Sequence, residues 1–236
     1  MRVDRARIIA LLGVTTPVAV AMVVAASPAY ATADHVYTSD VTVTVPKGVN
    51  TITATLTGAG GAGGGLTTDL KPGKSGGAGG GGGGGATVTC TLTNLTAGQK
   101  LKISPGAGGN AHAPTAGAPG GPAKIQDVAS GNLLAQADSG VGGQDGSEGA
   151  ITGGRSGAGG SLDVDSTYCR GGDLVSHVKG HDGLNGSDTK GGNGGAAGTP
   201  SSACPATAGE GGNGGDGGTK KNYGQNGDNG CINLVY

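Results

Sequence analysis

Between residues 209 and 218 glycine recurs in a three-residue frame, Gly-Glu-Gly, Gly-Asn-Gly, Gly-Asp-Gly, with Glu210, Asn213 and Asp216 at every third place. The frame returns in Lys190-Gly-Gly-Asn193-Gly-Gly-Ala196, in 152–161 and in 58–66, and more loosely in Gly140, Gly143, Gly146 and Gly149. A period of three fits neither the two-residue alternation of a strand nor the 3.6-residue turn of an α-helix. It fits the left-handed extended helix with three residues per turn, which makes no hydrogen bonds within itself. Its N–H and C=O groups therefore need outside partners. Water supplies them in a flexible linker. In a bundle, neighbouring glycine helices supply them: only a residue without Cβ allows approach on most sides, and the third residue points outwards. Runs of about 9–12 residues, roughly 30 Å at the rise of that helix, favour a bundle capped by strands. A collagen triple helix needs a sustained frame and far more proline than the 10 present.

Composition alone points the other way. Glycine makes up 56 of 236 residues, against about 7% in ordinary soluble domains. Leu, Ile and Val are scarce, and Trp and Phe are absent, which suggests disorder. Disordered chains, however, pair that deficit with high net charge, and here the formal charge is −1. A helical enzyme is disfavoured, because glycine costs ~1 kcal/mol per helix position relative to alanine. The charge balance excludes a strongly basic nucleic-acid binder.

Arg2, Arg5 and Arg7 precede an apolar run at 8–24, followed by Ser27-Pro28-Ala29-Tyr30-Ala31. This order is that of a secretory signal peptide (1–31) cleaved after Ala31. The run is broken by Pro17 and is shorter than the ~20 residues of a span, which disfavours a retained anchor. The expected product, 32–236, is secreted and extracellular, with no membrane span after cleavage. Its cysteines are Cys90, Cys169, Cys204 and Cys231. An even count in an exported chain predicts two disulfides. Three connectivities are possible, and the nested one, Cys169–Cys204 inside Cys90–Cys231, is favoured. No Cys-x-x-Cys spacing suggests zinc.

Strict alternation marks strands. Val41, Val43 and Val45 alternate with threonines; a turn at Pro46-Lys47-Gly48 leads to Ile52, Ala54 and Leu56. Ala86, Val88, Cys90 and Leu92 form a third run, and Leu101 and Ile103 a fourth. A hairpin is predicted over 124–137, turning at Ser130-Gly131-Asn132, and a last strand at Ile232, Leu234 and Tyr236. Each strand would be half core and half threonine-rich solvent face.

The opening, Val41-Thr-Val-Thr-Val-Pro46-Lys-Gly48-Val49-Asn-Thr-Ile52-Thr-Ala-Thr-Leu56-Thr-Gly58-Ala-Gly60-Gly61, resembles the secreted bacterial glycine-rich domain family. So do Ala97-Gly98-Gln99-Lys-Leu101-Lys-Ile103-Ser-Pro-Gly106-Ala-Gly108-Gly109 and the close Gly230-Cys231-Ile-Asn-Leu-Val-Tyr236. The chain is also similar to the glycine-rich domains of anaplastic-lymphoma-kinase-type receptors and the tips of some phage adhesins. The resemblance implies an all-β protein, an antiparallel, jelly-roll-like β-sandwich enclosing or capping polyglycine II helices. It implies surface recognition or a structural role, with no catalytic residues to carry over. The sequence departs from the pattern in a glycine-poor insertion at about 161–190.

That insertion holds the candidate binding residues Tyr168, Arg170, Asp173, His177 and His181. His177 and His181 would share one face of a helix and hold a metal there, but Lys179-Gly180 between them opposes a helix. A solvated polar loop, serving as a recognition surface on a rigid scaffold, is the expectation. Gly211–Asp216 fits the first six places of the calcium-binding nonapeptide, yet Gly218 stands where a large apolar residue is required. No cofactor and no catalytic residue is predicted. The expected function is a non-enzymatic exported structural or interaction module, with a surface, glycan or protein partner. The alternatives are a small metal-dependent enzyme or metal-binding protein using His177 and His181, and a disordered exported protein. An ice- or mineral-ordering face is disfavoured by the charged, irregular outward residues.

Overall fold

The threonine-alternating runs become strands because β-branched side chains suit a pleated surface with one buried face. The structure is a computed structural model and describes residues 33–66, 76–111, 116–146, 168–218 and 222–236. The signal-peptide reading of 1–31 and the glycine frame at 152–161 lie outside the described residues. In chain order the strands are β1 (Asp34–Tyr37), β2 (Val41–Thr44), β3 (Ile52–Thr57), β4 (Thr87–Leu92), β5 (Lys100–Ser104), β6 (Ala123–Asp127), β7 (Leu133–Ala137), β8 (Gly172–Val178) and β9 (Cys231–Val235). Among the described residues there is no helix.

Two antiparallel sheets form a β-sandwich, one of five strands ordered β1-β9-β3-β4-β8 and one of four ordered β2-β5-β6-β7. Ile52, Ala54 and Leu56 of β3 are buried with Val88, Cys90 and Leu92 of β4 and Ile232 and Leu234 of β9. Leu101, Ile103, Ile125, Ala135 and Ala137 meet them from the other sheet. Register explains the choice: Ala54 pairs with Cys90 and Leu234, and Leu56 with Val88 and Ile232, so one face collects these apolar side chains. The opposite face carries threonine pairs, of which Thr57 and Thr87 are buried and share a 3.0 Å hydrogen bond.

Strands β3, β5, β7 and β8 run on into glycine segments, and others lead into β4, β6 and β9. Segment 58–66 shows how these are joined. The N–H groups of Gly58, Gly61 and Gly64 donate to Ala86, Gly83 and Gly80; those of Ala59 and Ala62 donate to Gly121 and Ala118. Those of Gly60, Gly63 and Leu66 donate to Asp228, Gln225 and Asn222. Successive donors thus point in three directions and return every third residue. The carbonyls do likewise: Ala59, Ala62 and Gly65 accept from Gly140, Gly143 and Gly146, and Gly61 and Gly64 from Gly212 and Gly215. Segment 76–86 repeats the pattern, donating from Gly79, Gly82 and Gly85 to Gly215, Gly212 and Gly209. These backbone groups bond to other segments, not to water as in a linker. Burial follows the same period: Gly192, Gly195 and Gly198 are buried while Asn193, Ala196 and Thr199 are exposed.

Two elements depart from the sequence expectations. β1 was not anticipated, and the Gly172–Val178 stretch of the glycine-poor insertion is a strand and not a loop. β8 pairs with β4 across a bulge between Thr89 and Cys90 and exposes Leu174, Val175 and Val178, so it lacks the alternation by which a strand is read.

The nested disulfide pattern is also corrected. The bonds are Cys90–Cys169 and Cys204–Cys231. Cys90 stands opposite Ala54 on the core face, whereas Cys231 stands opposite Thr57 on the other face, two strands away. Side chains on opposite faces of a sheet cannot be bridged. Cys169 reaches Cys90 from the turn before β8, with the Cα atoms 5.7 Å apart. In the chain-entropy view, closing loops with separations of 79 and 27 residues restricts the unfolded chain by about 4 kcal/mol each.

A Cβ on Gly82 would lie well under 3.0 Å from the carbonyl oxygen of Gly61, in backbone that has no room to withdraw. Gly82→Ala is expected to cost ~3 kcal/mol or more in denaturant unfolding. Gly131→Ala, at φ +71° with open space around it, should cost only ~1 kcal/mol. Equal losses at the two positions would show that the segments are not tightly packed.

Candidate functional site

The five residues singled out in the insertion do not converge. Tyr168 is half-buried against the core, and its hydroxyl donates to Asp138 Oδ2 at 2.9 Å, which fastens the turn carrying Cys169. Arg170 is exposed in that turn. Asp173 and His177 both lie on β8, but Asp173 stands opposite Thr91 and His177 opposite Val88, which are on different faces. His181 follows in a glycine segment, where its backbone N–H donates to Ala196 and its carbonyl accepts from Gly84. Among the described residues no three His, Cys, Asp or Glu side chains come together as a metal site.

The polar side chains that do share a surface are the third residues of the glycine frame. Segments 189–195 and 211–217 run antiparallel, with Gly211, Gly214 and Gly217 donating to Gly195, Gly192 and Thr189. On the other side of 210–216, Gln225 and Asp228 donate from their backbones to Asn213 and Glu210. Two hollows open along this face. One, of about 390 Å³, is lined by Lys190, Asn193, Asp216, Asn222 and Tyr223 over bare glycine backbone. The other, of about 250 Å³, is bordered by Glu210, Asn226 and Asp228, and both include Asn213 and Gln225.

At the rim, side chains stand in for a missing neighbour. The N–H groups of Gly191 and Gly194 donate to Asp216 Oδ1 (3.0 Å) and Asn213 Oδ1 (2.8 Å). Those of Gly108 and Ala111 donate to Asn229 Oδ1 (2.8 Å) and Asn226 Oδ1 (2.7 Å). The outward position of Glu210, Asn213, Asp216 and Lys190 follows from the three-residue frame. Tyr223 and Gln225 escape such a reading, because 222–229 carries single glycines where the other runs carry pairs.

A family model described as a glycine-rich domain matches residues 35–236. The chain belongs to the glycine-rich domain family. No curated relative matches it. The match takes in both sheets from the second residue of β1 to the chain's last residue, together with every described glycine segment, so sandwich and bundle together constitute the glycine-rich domain.

A larger hollow of about 610 Å³ lies at one end of the four-stranded sheet of this glycine-rich domain, beside Gln99, Lys100, Asp127 and Val128. Its carboxylate is engaged in holding turns. Asp127 Oδ1 accepts the Ser130 N–H and hydroxyl, each at 2.7 Å, and Oδ2 accepts the Gln99 side-chain amide at 2.7 Å. The Ser130 backbone N–H, then its hydroxyl, then Gln99 hold the Asp127 carboxyl below its ordinary value of 3.8. A carboxylate held low stabilises the fold above its unfolded-state pKa, and that contribution is lost as the pH falls through the folded value. Asp127→Asn is therefore expected to be less stable than the parent at neutral pH. The gap should narrow below about pH 3.8 and close in stronger acid, as followed by urea midpoints across pH. A gap that stays constant across that range would rule out the ionised carboxylate as the cause.

Proposed function

We propose that this glycine-rich domain is a non-enzymatic exported module whose glycine segments are polyglycine II helices, bundled to hold outward side chains rigidly for recognition at a surface. The observation carrying this reading is the three-direction hydrogen-bond pattern of 58–66 and 76–86, combined with third residues that emerge at regular steps on 189–217. Three residues per return is the symmetry of that helix. Export is supported by the basic, apolar and Ala-x-Ala order at the N-terminus and by two disulfides. Among the described residues no helix is long and apolar enough to cross a membrane. A binding role is favoured over a catalytic site built on the insertion by the divergence of Asp173, His177 and His181.

The test joins order to retention. Amide exchange of the purified oxidised protein should be slow at Gly61, Gly64, Gly82 and Gly83, as slow as in β3 and β4. The same protein should be retained on at least one cell-envelope or host-surface fraction, and reduction followed by unfolding should release it. Random-coil exchange at those glycines would remove the scaffold. Retention by none of the fractions would remove the recognition role.

A further inference from the structure

We infer that the face formed by 190–194, 210–216 and 222–228 binds a linear, uncharged oligosaccharide, with Tyr223 as its stacking platform; this rests on the surface-recognition reading above. The starting point is an aromatic residue that packing does not explain. Of the four tyrosines among the described residues, Tyr37, Tyr168 and Tyr236 pack against the core. Tyr223 is 50% exposed, on the wall of the 390 Å³ hollow. An exposed phenol offers an apolar ring face and a polar tip at little cost in side-chain ordering. A pyranose, with C–H groups on its faces and hydroxyls round its edge, complements that combination.

The rest of the hollow fits the same ligand. Gly191, Gly214 and Gly215 contribute bare backbone to its lining, beside the Asp216 carboxylate that accepts the Gly191 N–H. Lys190, Asn193 and Gln225 stand round it and offer both donors and acceptors to hydroxyl groups. The second hollow continues past Asn213 and Gln225 along the same segments. The three-residue step of such segments is about 9 Å, so a linear chain lying along them would pass successive outward side chains. Nucleic acid is a poor match for the described residues lining the two hollows, because its phosphates would face Glu210, Asp216 and Asp228, with Lys190 as the cation among them. An apolar peptide side chain would find little beyond Tyr223 to cover it.

The experiment is titration of the purified oxidised protein with cellohexaose and with chitohexaose, followed by calorimetry and by amide shifts. Saturable binding of at least one is expected, with shifts centred on 190–194, 213–216 and 222–225. Tyr223→Ala should weaken binding by roughly tenfold, the size of one aromatic contact, while Tyr223→Phe keeps most of it. Asn193→Ala should weaken it several-fold. Unchanged affinity in Tyr223→Ala, or shifts centred elsewhere, would overturn the assignment. So would failure of both sugars to bind a protein that is still retained on a surface fraction, and that outcome leaves the module reading standing. Loss of both retention and sugar binding would remove the two together.

Discussion

Gly61 donates its N–H to the carbonyl of Gly83 at 2.9 Å while its own carbonyl accepts the N–H of Gly212 at 2.8 Å. Neither bond tolerates a side chain between the segments. A Cβ on Gly61 would run into the carbonyl of Val141, one on Gly82 into Gly61, and one on Gly212 into Gln225. This is a different constraint from the one that places glycine in turns. At Gly48, Gly98 and Gly131 positive φ is what matters. In the segments it is the absence of volume, and the third residue is released from the rule only where it faces outwards or, as with Ala59 and Ala62, fills the interior with a methyl group.

The sandwich then needs less from its apolar core. Its largest buried side chains are Ile and Leu, with no Phe or Trp to contribute large buried areas. The glycine segments continue the strands directly, so the order of β3, β4 and β9 is handed on to 58–66, 76–86 and 222–230 without a break. Each sheet face receives one disulfide: Cys90–Cys169 on the core side, Cys204–Cys231 on the threonine side. Ordering glycine is entropically costly. Backbone hydrogen bonds in three directions, two covalent loops and a small core offset that cost jointly.

Periodicity made much of this legible. Alternation located β3, β5 and β6 because they set alternate side chains into the core, and it also marked β2, which is largely exposed, and β9, which is buried on both faces. The three-residue frame marked the segments because packing dictates it residue by residue. β8 was opaque for the same physical reason: an edge strand with a bulge buries little, so Gly172–Val178 carries no alternating record of its environment. Disulfide pairing failed because face and strand order, which decide it, are not properties of spacing along the chain. The histidines illustrate a further gap. Four positions apart in sequence, His177 and His181 are placed by different elements, one in a sheet and one in a glycine segment.

The exposed polar side chains divide into those the fold consumes and those it leaves over. A bundle, like a sheet, has rims where backbone donors face outwards, and such rims invite unwanted pairing. Asn213, Asp216, Asn226 and Asn229 close them by placing a carbonyl or carboxylate oxygen where the next segment's would be. Asn and Asp are the short side chains that can do this from a neighbouring segment, which accounts for their recurrence at third positions without any ligand. Lys190, Asn193 and Tyr223 close no rim in this way, and an exposed phenol ring has no part in a scheme built from backbone bonds. Residues that a repeating scaffold carries but does not use for its own cohesion are where recognition can vary without disturbing the fold, and on this face they meet beside bare glycine backbone.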